Sequence, residues 1–194
     1  MIDTLVTKIK GFLIDPVETF RQSKNDEPGM VFTCLGALLL VNAVFSAVIA
    51  AAGFGSTELY KAIPEGVSLP VMVFFTVLIG GFIATLILAA WLHLWVYILG
   101  GRRGILQTVN AVIYGSTPRL LLGWIPFIGF IFSLWSLVLG VLGIRELQEL
   151  STGKAVLAVA IAIIIPLIII ILAAAWFMTS VMTVTAVPVS ADAF

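Results

Sequence analysis

The chain has 194 residues, of which 61 % are hydrophobic and only 10 % are charged, and its ten basic and ten acidic residues give a net charge of zero. Soluble domains are about 45–50 % apolar and about 25 % charged. The composition therefore excludes a soluble enzyme, a secreted domain and a disordered chain, and predicts a protein that crosses a membrane several times. A net charge of zero provides no basic surface for nucleic acid. One cysteine and one histidine make no zinc-binding pattern, so we predict no metal and no cofactor.

Residues 1–29 form a charged N-terminal segment that precedes the first apolar stretch. Its apolar residues recur every three or four positions, as on one face of an α-helix. This helix is too short to cross a membrane, and the lysines beside its apolar face favour a position in the membrane interface. The alternative is a cytoplasmic helix packed on the membrane domain. The apolar face consists of Ile2, Leu5, Val6, Ile9, Phe12 and Leu13.

Five membrane spans are predicted between residues 30 and 178, followed by a tail over residues 179–194. Residues 105–144 would form a helix of about 60 Å, twice the thickness of a bilayer, so a break is needed there, and Gly123-Trp124-Ile125-Pro126 supplies it. The predicted fold is an all-α, five-helix transmembrane bundle with a short N-terminal amphipathic helix. The five spans cover about residues 30–52, 69–99, 106–123, 125–144 and 155–178.

The basic residues outside these spans predict the orientation of the bundle. With five spans, eight of the nine fall on one side and only Lys61 falls on the other. Because basic loops remain in the cytoplasm, the N-terminus is predicted to be cytoplasmic and the C-terminus external. The eight residues are Lys8, Lys10, Arg21, Lys24, Arg102, Arg103, Arg145 and Lys154.

One polar patch lies inside the predicted spans and is the candidate site. Asn110, Tyr114 and Thr117 follow one another at helical spacing and share a helix face. Pro118 has no N–H group, so the carbonyl oxygen of Tyr114 lacks its helical partner. Arg119 is the one charged residue within a span. The patch is predicted to line a cavity, to bind a lipid phosphate or to join helices.

Two roles are open for Arg119, which lies about four residues from the outer end of the third span. Its guanidinium extends to the outer headgroups as a surface charge, or it binds a lipid phosphate or one of the loop glutamates, Glu58 and Glu65. His93, in the second span, is predicted to be a neutral histidine bonded to a backbone carbonyl or to Asn110. It would then support the polar patch from a second helix.

Small residues recur at fourfold spacing on several of the spans, for example Ala43, Ala47 and Ala51. Such faces let two helices approach closely. They pack either within the bundle or against a second copy of the chain, which would give a homo-oligomer.

Several short motifs follow one another along the chain: Asp15, Pro16 and Phe20 ahead of the first span, the stretch Tyr114-Gly-Ser-Thr-Pro118, Trp135, and the connector through Ser151 and Lys154-Ala155. In this order they resemble prokaryotic members of the Ypt-interacting protein (YIP) family. The resemblance covers about residues 11–178, and it implies five transmembrane helices with a cytoplasmic N-terminus, in the plasma (inner) membrane of a prokaryote. Eukaryotic relatives bind Rab-type GTPases, but the N-terminal segment of this chain is much shorter and has no Asp-Leu-Tyr-Gly-Pro element. A Rab-type GTPase partner is therefore not carried over.

The function is predicted from what the spans contain. None of them holds an aspartate or glutamate, which proton- and cation-coupled transporters usually need, and no catalytic constellation is visible in the sequence. We therefore predict a non-enzymatic membrane organiser or adaptor that binds a protein partner or membrane lipid. The alternative is a small oligomeric transporter or channel that uses Asn110, Tyr114 and Arg119.

Overall fold

The computed structural model describes residues 2–54 and 66–185, and the regular structure in these two ranges is helical throughout. A 3-10 turn, Ser23–Asn25, follows α2, and a π-helical turn, Thr76–Gly80, joins α4 to α5. The α-helices in these ranges are α1 (Ile2–Ile14), α2 (Pro16–Gln22), α3 (Pro28–Ala51), α4 (Leu69–Phe75), α5 (Gly81–Ile98), α6 (Ile105–Gly115), α7 (Thr117–Leu122), α8 (Gly129–Leu147) and α9 (Thr152–Thr185).

Four helical stretches in the described ranges are long and apolar enough to cross a membrane: Pro28–Ala51, Leu69–Ile98, Gly129–Leu147 and Thr152–Ser180. They correspond to the predicted spans 30–52, 69–99, 125–144 and 155–178. The prediction of an all-α protein that crosses a membrane several times is thereby confirmed. The tail beyond residue 185 and the loop with Glu58, Lys61 and Glu65 lie outside the described residues.

The stretch predicted as the third span, residues 106–123, consists of two helices rather than one. Helix α6 ends at Gly115 and α7 begins at Thr117. The break follows from Pro118, which cannot donate a backbone hydrogen bond and which occupies the first turn of the new helix. Together α6 and α7 have a length of about 27 Å at 1.5 Å per residue. The second break, over residues 123–128, falls where Gly123-Trp124-Ile125-Pro126 predicts it.

The chain divides into two compact units, residues 1–159 and residues 160–194. The second unit contains most of α9. In the first unit, α6 packs against α5, α3 and α8, and α2 packs against α8. Helices α6 and α8 approach closely at Gly115, where a Cβ atom would lie 3.0 Å from the backbone nitrogen of Gly140. A side chain at Gly115 would therefore push the two helices apart.

The N-terminal segment folds as a helical hairpin. Asp15 caps α2 by accepting a hydrogen bond from the backbone N–H of Glu18 at 3.4 Å, and Pro16 occupies the first turn, as this sequence pattern predicts. The two helices touch at Gly11, where a Cβ atom would lie 2.5 Å from Thr19 Oγ1. A side chain at Gly11 would therefore displace the side chain of Thr19.

Three separate segments meet at one end of the first unit, which we call the charged end. Arg21 Nε donates to Glu146 Oε2 at 2.9 Å, and Lys24 Nζ donates to Glu149 Oε1 at 3.1 Å. Arg103 Nε, in the turn after α5, donates to Glu149 Oε2 at 3.0 Å. The N-terminal segment, the turn after α5 and the connector after α8 are thus at the same end of the unit.

Candidate functional site

The five residues of the predicted polar patch occupy different environments. Tyr114 and Thr117 are fully buried and Asn110 is 5 % exposed, whereas Arg119 is exposed. No side-chain hydrogen bond joins any two of these residues in the described part of the chain. They share a stretch of sequence, but they do not form one continuous polar surface.

Arg119 is oriented towards the 123–128 turn. Its Cγ atom would lie 3.4 Å from a Cβ atom built on Gly123, so the side chain follows α7 towards that turn. Its backbone N–H donates to Ser136 Oγ at 3.0 Å. Among the described residues, no hydrogen bond or ion pair engages its guanidinium. The prediction that it binds a lipid phosphate or a loop glutamate stays a prediction, because Glu58 and Glu65 lie outside the described residues.

The break between α6 and α7 leaves polar groups inside the protein. Thr117 Oγ1 is buried and has no hydrogen-bond partner in the part of the chain that the structure describes. One turn further on, Asn42 of α3 donates from Nδ2 to the carbonyl oxygen of Leu120 at 2.8 Å. Asn42 is not among the residues predicted for the site. Its amide side chain inside an otherwise apolar span is the signal that could have identified it.

The hydroxyl of Tyr114 belongs to a cluster that the sequence analysis did not identify. It donates to Asp26 Oδ2 at 2.5 Å, and Lys8 forms an ion pair with the same oxygen. Lys8 Nζ also donates to Ser23 Oγ at 3.1 Å and lies 5.3 Å from the centre of the Tyr114 ring. We call Lys8, Asp26 and Tyr114 the Lys8–Asp26–Tyr114 cluster. It joins α1, the segment before α3, and α6.

An aromatic stack supports this cluster. The ring of Phe12 is stacked on Tyr114 at a centroid distance of 4.6 Å, and Phe20 lies 4.8 Å from Phe12; all three side chains are fully buried. Phe20 in turn packs on Gly143 of α8, where a Cβ atom would lie 2.9 Å from its ring. The stack thus attaches both helices of the N-terminal hairpin to the bundle.

The predicted interfacial face of α1 is therefore divided between two environments. Phe12 is not at a membrane surface, because α6 and α2 cover it. Leu5, Ile9 and Leu13 are partly buried, and Val6 is 44 % exposed. Nothing is described of the side chain of Ile2. The alternative of a helix packed on the membrane domain accounts for Phe12, and the interfacial position stays a prediction for the exposed part of the face.

His93 has a partner other than the two predicted for it. Its Nδ1 lies 2.8 Å from Thr108 Oγ1, which also accepts a hydrogen bond from Gln148 Nε2 at 2.9 Å. Gln148 further bonds the carbonyl oxygen of Gly104 and the backbone N–H of Arg103. A neutral imidazole that accepts the Thr108 hydroxyl proton fits this network. His93 therefore supports the charged end and not the polar patch.

Four basic side chains at the charged end share two carboxylates. Arg103 and Lys24 both bind Glu149, and their positive charges hold the pKa of that carboxyl below its usual value, with Arg103 as the main cause. Arg21 and Arg145 both bind Glu146. The charged end therefore carries an excess of positive charge.

Two further basic residues lie beside this network. The Arg102 guanidinium stacks 3.8 Å over the ring of Tyr97 and donates to its carbonyl oxygen. Lys154 Nζ would lie 3.6 Å from a Cβ atom on Gly100, in the same turn. Neither pairs with a carboxylate among the described residues, so both can receive an anionic group from outside.

The distribution of metal-binding side chains and an open groove are further features of the described residues. In the described ranges, no three histidine, cysteine, aspartate or glutamate side chains are grouped so that they could hold a metal ion. An open groove of about 270 Å³ lies between α3 and the α4–α5 stretch, and its lining is almost entirely apolar. Its lining residues are Gly36, Leu39, Leu78, Ile79, Phe82 and Ile83.

Comparison with protein families gives one match. The model described as Yip1 domain matches residues 10–187, which is most of the chain and includes the residues on which the resemblance rests. Neither a curated protein nor a solved structure matches.

Proposed function

Because the chain belongs to the Yip1 domain family, we propose that this multi-pass membrane protein is a non-enzymatic organiser or adaptor. It holds an anionic partner, either lipid headgroups or an acidic protein segment, at its charged end. The observation that carries the proposal is the excess of basic side chains there, together with Arg102 and Lys154, which have no carboxylate partner among the described residues.

The charged end is well suited to hold a partner because three parts of the chain build it jointly. Glu149 receives Lys24 from the N-terminal segment and Arg103 from the turn after α5, while Glu146 receives Arg21. These bridges fix the basic groups relative to one another, so less conformational entropy is lost when an anion binds.

We also propose the orientation and domain organisation that the sequence predicts. Residues 1–29 form the cytoplasmic segment, residues 30–178 cross the membrane five times, and residues 179–194 form an external tail, in the plasma membrane of a prokaryote. The support is that residues 21–24, 103 and 146–149 lie at the same end of the first unit. Two pairs of spans, each crossing the membrane and returning, would bring these residues to one side of it. In a chain whose Cys34 is replaced by alanine, cysteines at the exposed positions Asn25 and Ser151 should react with reagent from the cytoplasm, and those at Thr57 and Ser190 from outside. Labelling of Asn25 and Ser190 from the same side would contradict the odd number of spans.

The adaptor proposal is tested by photo-crosslinking in native membranes. A photoreactive residue in place of Ser151, an exposed position three residues before Lys154, should form an adduct, and mass spectrometry identifies it as a lipid or a protein. The adduct should be lost in the Lys154→Gln variant. The control places the same residue at Phe127, a 94 % exposed position in the 123–128 turn. Equal adducts from both positions, or no effect of Lys154→Gln, would remove the charged end as the binding surface.

A transporter or channel is the second hypothesis, and the arrangement of its residues disfavours it. Tyr114 is fully buried and bonded to Asp26, whereas Arg119 is exposed. Reconstitution in liposomes separates the two functions, because a transporter predicts solute flux that Tyr114→Phe or Arg119→Leu abolishes, and an adaptor predicts none.

A further inference from the structure

Helix α1 is held on the bundle by an ion pair in a largely enclosed position. The side chains of Lys8 and Asp26 are only 18 % and 15 % exposed. One carboxylate oxygen, Asp26 Oδ2, receives both the Lys8 ammonium and the Tyr114 hydroxyl. In such a site the loss of either charge leaves the other without compensation. The ion pair is therefore favoured when it is formed or when both charged groups are fully hydrated, and intermediate separations are disfavoured.

The same helix has the features of one that binds a lipid surface. Val6 and Ile14 remain 44 % and 82 % exposed while α1 is packed on the bundle, and Leu5, Ile9 and Leu13 are only partly buried. Lys10 adds a second positive charge next to Lys8. An amphipathic helix with lysines beside its apolar face binds at the membrane interface, and more strongly when the lipids are anionic.

We propose that the Lys8–Asp26–Tyr114 cluster is a latch with an open and a closed position. In the closed position Lys8 binds Asp26, and Phe12 of α1 packs between Phe20 and Tyr114 in the aromatic stack. In the open position Lys8 binds an anionic lipid headgroup, and the apolar face of α1 enters the interface. Anionic lipid thus competes with Asp26 for one ammonium group, and its surface density biases the equilibrium. This inference is independent of the adaptor function.

The test measures the position of α1 in the full-length chain in lipid nanodiscs. Spin labels are placed at two exposed sites, Thr4 in α1 and Phe130 in α8, after replacement of Cys34 by alanine. Wild type in neutral lipid should give one distance by pulsed electron paramagnetic resonance. In nanodiscs rich in phosphatidylglycerol a second distance should appear. Asp26→Asn should make the second distance appear in neutral lipid and should increase its population at least severalfold in phosphatidylglycerol.

The matched control is Asp3→Asn, which removes the same charge from an exposed position on α1 and should leave the single wild-type distance in neutral lipid. The charge exchange Lys8→Asp/Asp26→Lys should restore the single distance in neutral lipid. A second label pair, Ile87 and Phe130, reports on the bundle itself and should not change. The proposal is wrong if Asp26→Asn behaves like Asp3→Asn, if the charge exchange does not restore the distance, or if the Ile87–Phe130 distance broadens equally.

Discussion

Helices α5 and α6 are neighbours in the sequence and pack against each other, yet they are opposite in character. The stretch that contains α5, Leu69–Ile98, is strongly apolar, and only 6 % of its most apolar part is buried in the protein. Helix α6 is shorter, and every residue from Thr108 to Gly115 is buried. Of these two helices, the one long and apolar enough to cross a membrane has most of its surface outside the bundle, whereas the helix inside the bundle carries the buried polar groups.

The comparison explains why α6 carries buried polar contacts. In lipid every polar group needs a partner within the protein, so polar side chains are found on the helix that other helices surround. Thr108 bonds to His93 and Gln148, and Tyr114 bonds to Asp26. Helix α6 thus carries polar contacts both to the charged end, through Thr108, and to the Lys8–Asp26–Tyr114 cluster.

The largest expected effect comes from the same substitution, isoleucine to alanine, made in each of the two helices. Ile113 of α6 is fully buried and Ile87 of α5 is 64 % exposed. Ile113→Ala leaves a cavity and should lower the free energy of unfolding by about 2–5 kcal/mol. Ile87→Ala should change it by less than about 0.5 kcal/mol. Reversible unfolding in mixed detergent micelles measures both, and equal losses would mean that α6 is not the inner helix.

A smaller effect is expected from the hydroxyl of Tyr114. Tyr114→Phe keeps the ring that stacks on Phe12 and removes only the hydrogen bond to Asp26. A hydrogen bond to a charged group contributes about 1.5–3 kcal/mol, and this loss should appear in the same unfolding measurement. Tyr97→Phe, at an exposed tyrosine of α5, is the control and should be neutral. No difference between the two variants would argue against the bond to Asp26.

The charged end should show a modest dependence on pH. The pKa of Glu149 is lower in the folded protein than in the unfolded chain because Arg103 and Lys24 bind its ionised form. Its contribution is therefore complete above the ordinary glutamate pKa of about 4.3 and is lost as the pH falls through the lower, folded value. Glu149→Gln should reduce the fall in Tm over this range. Glu27→Gln, at an exposed glutamate, should leave it unchanged; the same slope in all three proteins would contradict the pairing.

The smallest effect on stability is expected at Arg119. Arg119→Leu should leave insertion and Tm intact, because leucine removes a charge that costs free energy near the membrane. Arg119→Lys should weaken the retention of anionic lipid, since an ammonium lacks the planar set of donors that binds phosphate. Native mass spectrometry of the purified protein measures the bound lipid. If both variants match wild type, Arg119 is a surface charge only.

The sequence predicts those structural features that are determined by residues close together along the chain. The cap at Asp15, the apolar helices and the turn at residues 123–128 are local features, and the structure has them. The break at Ser116 is not predicted, because a proline within an apolar stretch is compatible with one kinked helix as well as with two helices. Asp26 was missed because its partner Tyr114 is 88 positions away. Helical periodicity identified the face that contains Phe12, but it carries no information on whether lipid or protein covers that face.

The π-helical turn Thr76–Gly80 gives the long apolar stretch two different packing faces. Each residue turns an α-helix by about 100°, so one additional residue in a turn rotates everything beyond it by that angle. Before the turn, α4 packs on α3, and after it α5 packs mainly on α6. Deletion of a single residue such as Val77 would restore a regular α-helix, but it would also rotate His93 away from Thr108 and direct lipid-facing side chains into the protein. The position of the polar network at the charged end therefore depends on one residue in the middle of an apolar helix.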